Sequence, residues 1–308
     1  MKSDIFDCFT VTLNPAIDQT LQIPLFAAGR VNRVIEEESR PGGKGINVAM
    51  ALADAGFCVA AGGLLGKQNA GLFEQVFQEK RIADFCVRIA GATRTGIKIV
   101  DPNTQQTTDI NFPGITLREC DLAKLEETLT LVESRWAVLA GSLPPGVDAT
   151  FYAKLAAALR QQGMKVAVDT SGESLAEALR AKPAVIKPNV HELSELVDHP
   201  LPDQASVLRT ARELNRDGIE TVIVSMGAVG ALFVKATEAV FVTPPQIPIR
   251  TTVGAGDAMV AGYVAASLQS LGLADAARLA TAFSLRAIAK DPPALPDVFL
   301  SSLTTQQL

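Results

Sequence analysis

Two glycine-rich runs carry the residues most able to do chemistry. In the first, Thr251-Thr252-Val253-Gly254-Ala255-Gly256-Asp257 is followed without a breaker by Ala258, Met259, Val260, Ala261, Tyr263 and Val264. The spacing predicts a tight turn opening straight into a helix. Gly254 and Gly256 permit backbone angles and close approaches that a Cβ forbids. The first amides of such a helix lack partners inside it and lie at the positive end of its dipole, so a phosphoryl group is a natural occupant. Asp257 is the odd member, because a carboxylate repels a bound anion. It suits a base that takes a proton from an incoming hydroxyl while the amides of Gly254, Ala255 and Gly256 hold the phosphoryl group. Alone, the run fits a plain turn with a first-turn helix acid equally well.

The second run is Pro41-Gly42-Gly43-Lys44-Gly45-Ile46-Asn47. Its glycines let a ligand approach backbone amides, Lys44 can neutralise a phosphate, and Asn47 can hydrogen-bond hydroxyls. Alone, it fits a tight turn with a solvated lysine as well. It is not a G-x-x-x-x-G-K-[ST] loop, since the near miss at Gly66-Lys67 is followed by Gln68. No G-x-G-x-x-G follows the first strand, which disfavours a nicotinamide oxidoreductase.

Such turns need a scaffold. An apolar β-prone run at 6–13 predicts a central strand, with Asp18 just beyond Asn14-Pro15. From 19 to 40 apolar and polar residues alternate (Leu21, Ile23, Val31, Ile35), which predicts a half-exposed antiparallel ribbon. A helix over 46–55, a strand over 58–65 and a helix over 71–81 follow. Strands over 94–100 and 107–112 form a hairpin around Asp101-Pro102-Asn103. We pair it with the 19–40 ribbon as a small antiparallel lid sheet. Beyond it helices (118–133, 149–162, 173–180, 191–197, 203–217) alternate with strands (136–140, 164–168, 184–187, 220–225). That rhythm implies a doubly wound, mostly parallel α/β sheet with helices on both faces. A terminal hairpin (229–234, 239–243) and helices over 255–270, 273–289 and 296–306 close a single domain of 308 residues. Ligands of such sheets lie at the carboxyl ends of strands, where Asn14, Gly141, Lys187 and Ser225 fall.

Composition excludes other classes. Hydrophobic residues make up 48% and the net charge is −5, so no basic footprint for nucleic acid exists. No apolar run reaches membrane-spanning length, and MKSDIFDCFT does not read as a signal peptide. Cys8, Cys58, Cys86 and Cys120 form no C-x-x-C pair, and Cys8 and Cys58 read as buried free thiols. A cytoplasmic protein is expected.

Six segments in series then carry a resemblance. PGGKGINVA (41–49) and TVGAGD (252–257) look like the two signatures of the ribokinase-like (PfkB) carbohydrate kinase family. TLNPAID (12–18), GSLPPG (141–146), VIKPNVHEL (185–193) and SMGAVGA (225–231) match its phosphosugar branch, whose members act on fructose 1-phosphate, tagatose 6-phosphate or fructose 6-phosphate. The resemblance covers nearly the whole chain. It implies Asp257 as general base, with Gly254, Ala255 and Gly256 as the anion hole. Asp18, Gly42, Gly43, Lys44 and Asn47 are then expected to line the sugar pocket. Arg94 would grip the sugar's existing phosphate, a task for a planar bidentate donor, with Lys98 assisting and Ser142 near the sugar. Lys187, Ser225, Gly227, Gly230 and Thr252 are expected to bind ATP. Asn189 and Glu192, spaced N-x-x-E, are expected to organise Mg²⁺ through water, since Mg²⁺ takes few protein ligands. Thr251 stands where many kinases of unphosphorylated sugars carry Asp, which favours a sugar-phosphate substrate. The tail 290–296 lacks the family's glycine-rich pattern, leaving adenine and monovalent-cation contacts open.

Gly-Lys-Gly at 43–45, RTGIK at 94–98 and TDINFPG at 108–114 look most like the members acting on fructose 1-phosphate. The expected reaction is ATP-dependent phosphorylation of its 6-hydroxyl to fructose 1,6-bisphosphate. Tagatose 6-phosphate and fructose 6-phosphate are the alternatives within the branch. A non-catalytic sugar-phosphate-binding regulator is the alternative outside it, disfavoured by the intact Asp257 and its glycines. A homodimer through the lid sheets is also expected.

Overall fold

The structure is a computed structural model that describes residues 5–104 and 106–308; residues 1–4 of the N-terminal stretch and residue 105 of the lid hairpin lie outside the description. The chain begins with β1 (Phe6–Thr12), then leaves the main sheet for β2 (Ala16–Gln22) and β3 (Glu36–Gly42). It turns into α1 (Lys44–Asp54), returns as β4 (Val59–Gly66) and continues through α2 (Gly71–Lys80) to β5 (Ala83–Ile89). A second excursion makes β6 (Arg94–Asp101) and β7 (Gln106–Asn111). Then follow α3 (Glu119–Thr130), β8 (Ser134–Ala140), α4 (Phe151–Gln161), β9 (Lys165–Asp169), α5 (Gly172–Ala178), β10 (Val185–Ile186), α6 (Val190–Val197), α7 (Gln204–Arg216) and β11 (Thr221–Ser225). The chain ends with β12 (Ala231–Val234), β13 (Ala239–Thr243), α8 (Ala255–Leu268), α9 (Leu273–Ile288) and β14 (Thr304–Gln307).

The main sheet has ten strands in the order β14-β13-β12-β11-β10-β9-β8-β1-β4-β5. It is parallel from β11 to β5 and antiparallel only among β11 to β14. β1 lies inside it, and its side chains alternate between two cores: Cys8 joins one, Phe9 and Val11 the other. The first core holds α1, α8 and α9; the second holds α3, α4 and α7. The α8 helix has apolar residues on every side, as a helix buried all round should; Val260, Ala261, Val264 and Ala265 are each at most 1% exposed. Burial of each larger aliphatic side chain contributes about 1.5–3 kcal/mol, so the helix carrying Asp257 stands on rigid ground.

The lid sheet has four strands, β3-β2-β6-β7. The pairs β2/β3 and β6/β7 are antiparallel as expected, but β2 and β6 join them in parallel. The reason is connectivity: β6 arrives after α1, β4, α2 and β5, so it enters with the direction of β2.

Four expectations need correction. The ribbon over 19–40 is interrupted, because 23–35 is irregular between β2 and β3, and Ile23 is buried rather than exposed. A strand was missed at β5, whose Asp84 and Arg88 pair with each other on an edge strand and break its apolar pattern. The expected helix at 296–306 is a short 3-10 segment over Pro296–Ser302 followed by β14, where Thr304-Thr305-Gln306-Gln307 offers no apolar helix face and pairs with β13. Finally, Cys8 is buried but Cys58 is exposed, because it precedes β4 at the rim of the sheet.

Candidate active site

Gly254 caps α8 at φ 81°, the left-handed conformation that glycine takes without penalty. The turn delivers the amides of Ala255 and Gly256 and, one residue on, the Asp257 carboxyl. Thr251 steadies the approach by accepting the Val253 N–H at 3.1 Å, and Thr252 stays exposed beside it. Asp257 is 7% exposed, with Asn47 Nδ2 donating to its Oδ2 at 2.8 Å. That bond joins the two glycine runs across 210 positions of sequence. Burial and then the charge of Asp169 push the Asp257 carboxyl up to about 6, against the Asn47 hydrogen bond and the cations Lys44 and Lys187.

Asp169 escaped the sequence analysis. It ends β9, is 1% exposed, and its Oδ1 faces Lys44 Nζ at 3.0 Å and Lys187 Nζ at 3.5 Å. Burial pushes this carboxyl up, but the two ammonium groups outweigh it and hold the group below its ordinary range. The available signal was its place at the carboxyl end of a parallel strand. Lys44, the first residue of α1, is itself held up by Asp169, with Asp257 and Glu192 adding to the effect against burial. Lys187 follows β10, and a Cβ on Gly256 would stand 3.0 Å from its Nζ, so the ammonium lies against the α8 turn.

On the sugar side, Asp18 of β2 approaches the end of β3 so closely that a Cβ on Gly42 would stand 2.1 Å from its Oδ2. A side chain there would displace the Asp18 carboxyl. Burial pushes the Asp18 carboxyl up, opposed by Arg94 and Lys98 of β6, while Asp109 adds to the rise. Arg94 donates from Nη1 to Phe112 O at 2.9 Å and from Nη2 to Asn14 O at 3.3 Å, and its buried Nε has no partner among the described residues. Lys98 is paired with Asp109 at 2.6 Å, so its charge is shared across the lid. Asn14 Nδ2 reaches both Pro113 O and Ser142 Oγ at 3.2 Å, tying the exit of the lid to the end of β8.

Toward the far end of the sheet, Asn189 caps α6 in a reciprocal box: its Oδ1 accepts Glu192 N–H at 2.8 Å, and Glu192 Oε2 accepts Asn189 N–H at 2.9 Å. Ser225 ends β11 and bridges to Asn189, while Met226 N–H donates to Gly230 O and closes the turn that carries Gly227. Thus Asp257, its glycines, Asn47, Lys44 and Lys187 form one cluster with Asp169. Asp18, Arg94 and Lys98 form a second on the lid, and Asn189, Glu192, Ser225, Gly227 and Gly230 a third. A buried carboxylate at about pH 6, two ammonium groups and a helix start are equipped to move an anionic group onto a hydroxyl.

The sequence pattern of the pfkB family carbohydrate kinases matches residues 8–292. The chain belongs to that family. Curated members of the pfkB family resemble it over nearly their whole length. The 1-phosphofructokinase of Rhodobacter capsulatus is 50% identical over 290 residues, covering 93% of this chain and 92% of the relative. The 1-phosphofructokinase of Escherichia coli K12 is 36% identical over 290 residues, covering 94% and 93%. Among solved structures, the pfkB fold is shared with phosphofructokinase-2 from Escherichia coli in complex with fructose-6-phosphate, at TM-score 0.90 and 28% identity over 97% of this chain and 99% of that one. No helix among the described residues is long and apolar enough to cross a membrane.

Proposed function

We propose that this pfkB-family chain is a 1-phosphofructokinase, transferring the terminal phosphoryl group of ATP to the 6-hydroxyl of fructose 1-phosphate. The observation that carries the chemistry is the Asn47–Asp257 hydrogen bond, which brings a buried base and both glycine turns to one point. The choice of substrate is supported by the 50% and 36% identity to 1-phosphofructokinases at nearly full coverage.

Asp257 takes the proton of the 6-hydroxyl as that oxygen bonds to the terminal phosphorus of ATP. The bond from this phosphorus to the bridging oxygen breaks, and ADP leaves with the electron pair. The amides at Gly254–Gly256 and the ammonium of Lys187 face the charge spread over the transferred group, so fixed positioning and electrostatics dominate catalysis. Asp18 and Asn47 orient the sugar hydroxyls, Gly42, Gly43 and Lys44 line the sugar side, and Arg94 with Lys98 and Ser142 takes the 1-phosphate end. Ser225, Gly227, Gly230 and Thr252 form the nucleotide side.

The α6 start fits Mg²⁺ held through water. Glu192 keeps its Oε1 free of protein partners among the described residues while Oε2 is used by Asn189. No group of three or more acidic, His or Cys side chains among them stands ready to hold a metal directly. Asn189 and Glu192 would hold such an ion through water, where it would supply positive charge against the phosphates of the donor nucleotide.

A coupled assay of ADP release tests the assignment: turnover with fructose 1-phosphate and little with fructose 6-phosphate or tagatose 6-phosphate is expected. Equal turnover of all three refutes the substrate choice, and binding without turnover favours a regulator. The ionised form of Asp257 is the active one, so the rate should fall about tenfold per pH unit on the acid side, starting from pH about 6. A profile flat down to pH 4 contradicts this role. We also propose a homodimer through the lids, supported by the exposed apolar residues Leu25, Val31, Val34 and Ile35 beside β2 and β3. Sedimentation should give a two-chain species at assay concentrations; a single-chain species removes the proposal.

A further inference from the structure

Asp169 has no part in the roles above, yet it is the most deeply buried carboxylate next to the reacting centre. It stands where three elements converge: it ends β9, Lys187 follows β10, and Lys44 opens α1. We propose that Asp169 is a positioning residue for phosphoryl transfer, its Oδ1 anchoring Lys44 and Lys187 together so that one ammonium is fixed on the sugar side of Asp257 and the other on the nucleotide side. This rests on the kinase reading above and deepens it.

The geometry shows why an anchor is needed. Lysine is a compact charge on a flexible four-carbon stem and holds no geometry of its own. Two ammonium groups drawn to one oxygen, at 3.0 and 3.5 Å, repel each other and separate without a charge between them. Asp169 supplies that charge from the end of a central strand, and its main-chain carbonyl is fixed too, accepting the Gly141 N–H at 3.0 Å. An ammonium has three donors; Asp169 takes one from each lysine and leaves the rest for substrate oxygens. Lys187 is only 6% exposed and lies against the Gly256 turn, so a small displacement moves it off the transferred group. At 1% exposure, Asp169 itself is out of reach of a sugar hydroxyl, and the lysines keep it ionised. It therefore acts through them and is not a second base.

The test is steady-state kinetics of the full chain carrying Asp169→Asn, which keeps the shape and removes the charge. Without the carboxylate, the lysines still attract ground-state phosphates but no longer stand where the transition state needs them. kcat is expected to fall ~10²-fold, the cost of about 1 Å of misplacement, with KM for neither substrate rising. Asp257 is faced by Asp169, Lys44, Lys187 and Asn47. Losing the Asp169 charge therefore also moves the acid limb of the rate to lower pH, which a merely structural defect leaves in place. A kcat within about threefold of wild type overturns the proposal, as does a loss with raised KM and an unmoved acid limb. A loss restored by excess Mg²⁺ overturns it too, by making Asp169 part of the metal site.

A second measurement needs neither turnover nor the Asp169 variant. In proton–nitrogen correlation spectra of the wild-type protein, the ammonium groups of Lys44 and Lys187, assigned with Lys44→Arg and Lys187→Arg, should exchange slowly with water. Ammonium signals lost to fast exchange overturn the anchoring. Slow signals in a protein that turns over none of the three ketohexose phosphates leave the anchor standing and remove the kinase reading instead.

Discussion

Asp257→Asn is expected to lower kcat for fructose 1-phosphate by ~10⁴-fold or more, at or beyond the upper end of a lone general base, because the same carboxyl also orients the hydroxyl. The substitution keeps the side-chain shape and lets the Asn47 amide, now 2.8 Å from Oδ2, find an acceptor again. It should not weaken the fold. An acid whose folded pKa is raised, here from 3.8 to about 6, is destabilising once ionised. That penalty is absent below the unfolded value near 3.8 and fully present above pH about 6. The variant should accordingly unfold at a higher temperature than wild type at pH 8, by up to about 3 kcal/mol in stability, with the gap closing below pH 4. Near-wild-type turnover would falsify the role of Asp257. A variant less stable at pH 8 would show that the carboxylate serves the fold instead.

Arg94→Ala should raise KM for fructose 1-phosphate ~10²-fold, the worth of two charge-assisted hydrogen bonds, while KM for ATP stays put. A guanidinium has five N–H donors, and the carbonyls of Phe112 and Asn14 each take one here. The remainder, on a lid strand beside Asp18, are free for a phosphate. Arg94→Lys should recover only part of the loss, since a point charge lacks the fork. An equal rise of both KM values would mean that Arg94 merely holds the lid to the core through those two carbonyls.

The alternation of strands and helices was legible because the parallel strands are buried on both faces and bounded by polar turns. The glycine turns were legible because few other residues tolerate such backbone. What escaped was set by distant partners. β5 and β14 lie at the two edges of the main sheet, where charge and polarity replace apolar runs. The 23–35 stretch has strand-like alternation but finds no partner strand among the described residues, so it stays irregular. Lys44 read as one phosphate-binding cation and Lys187 as another; that both point at Asp169 depends on β9 and β10 lying side by side, which spacing alone does not say. Asp169 drew no reading from the sequence for the same reason.

A crystal structure with fructose 1-phosphate and a non-hydrolysable ATP analogue probes the base assignment most directly. The 6-hydroxyl should lie about 2.6–3.2 Å from the Asp257 carboxylate, in line with the terminal phosphorus and with the 1-phosphate at Arg94. A sugar bound with its 1-phosphate toward α8, or a 6-hydroxyl that meets no carboxylate, contradicts this account of the protein.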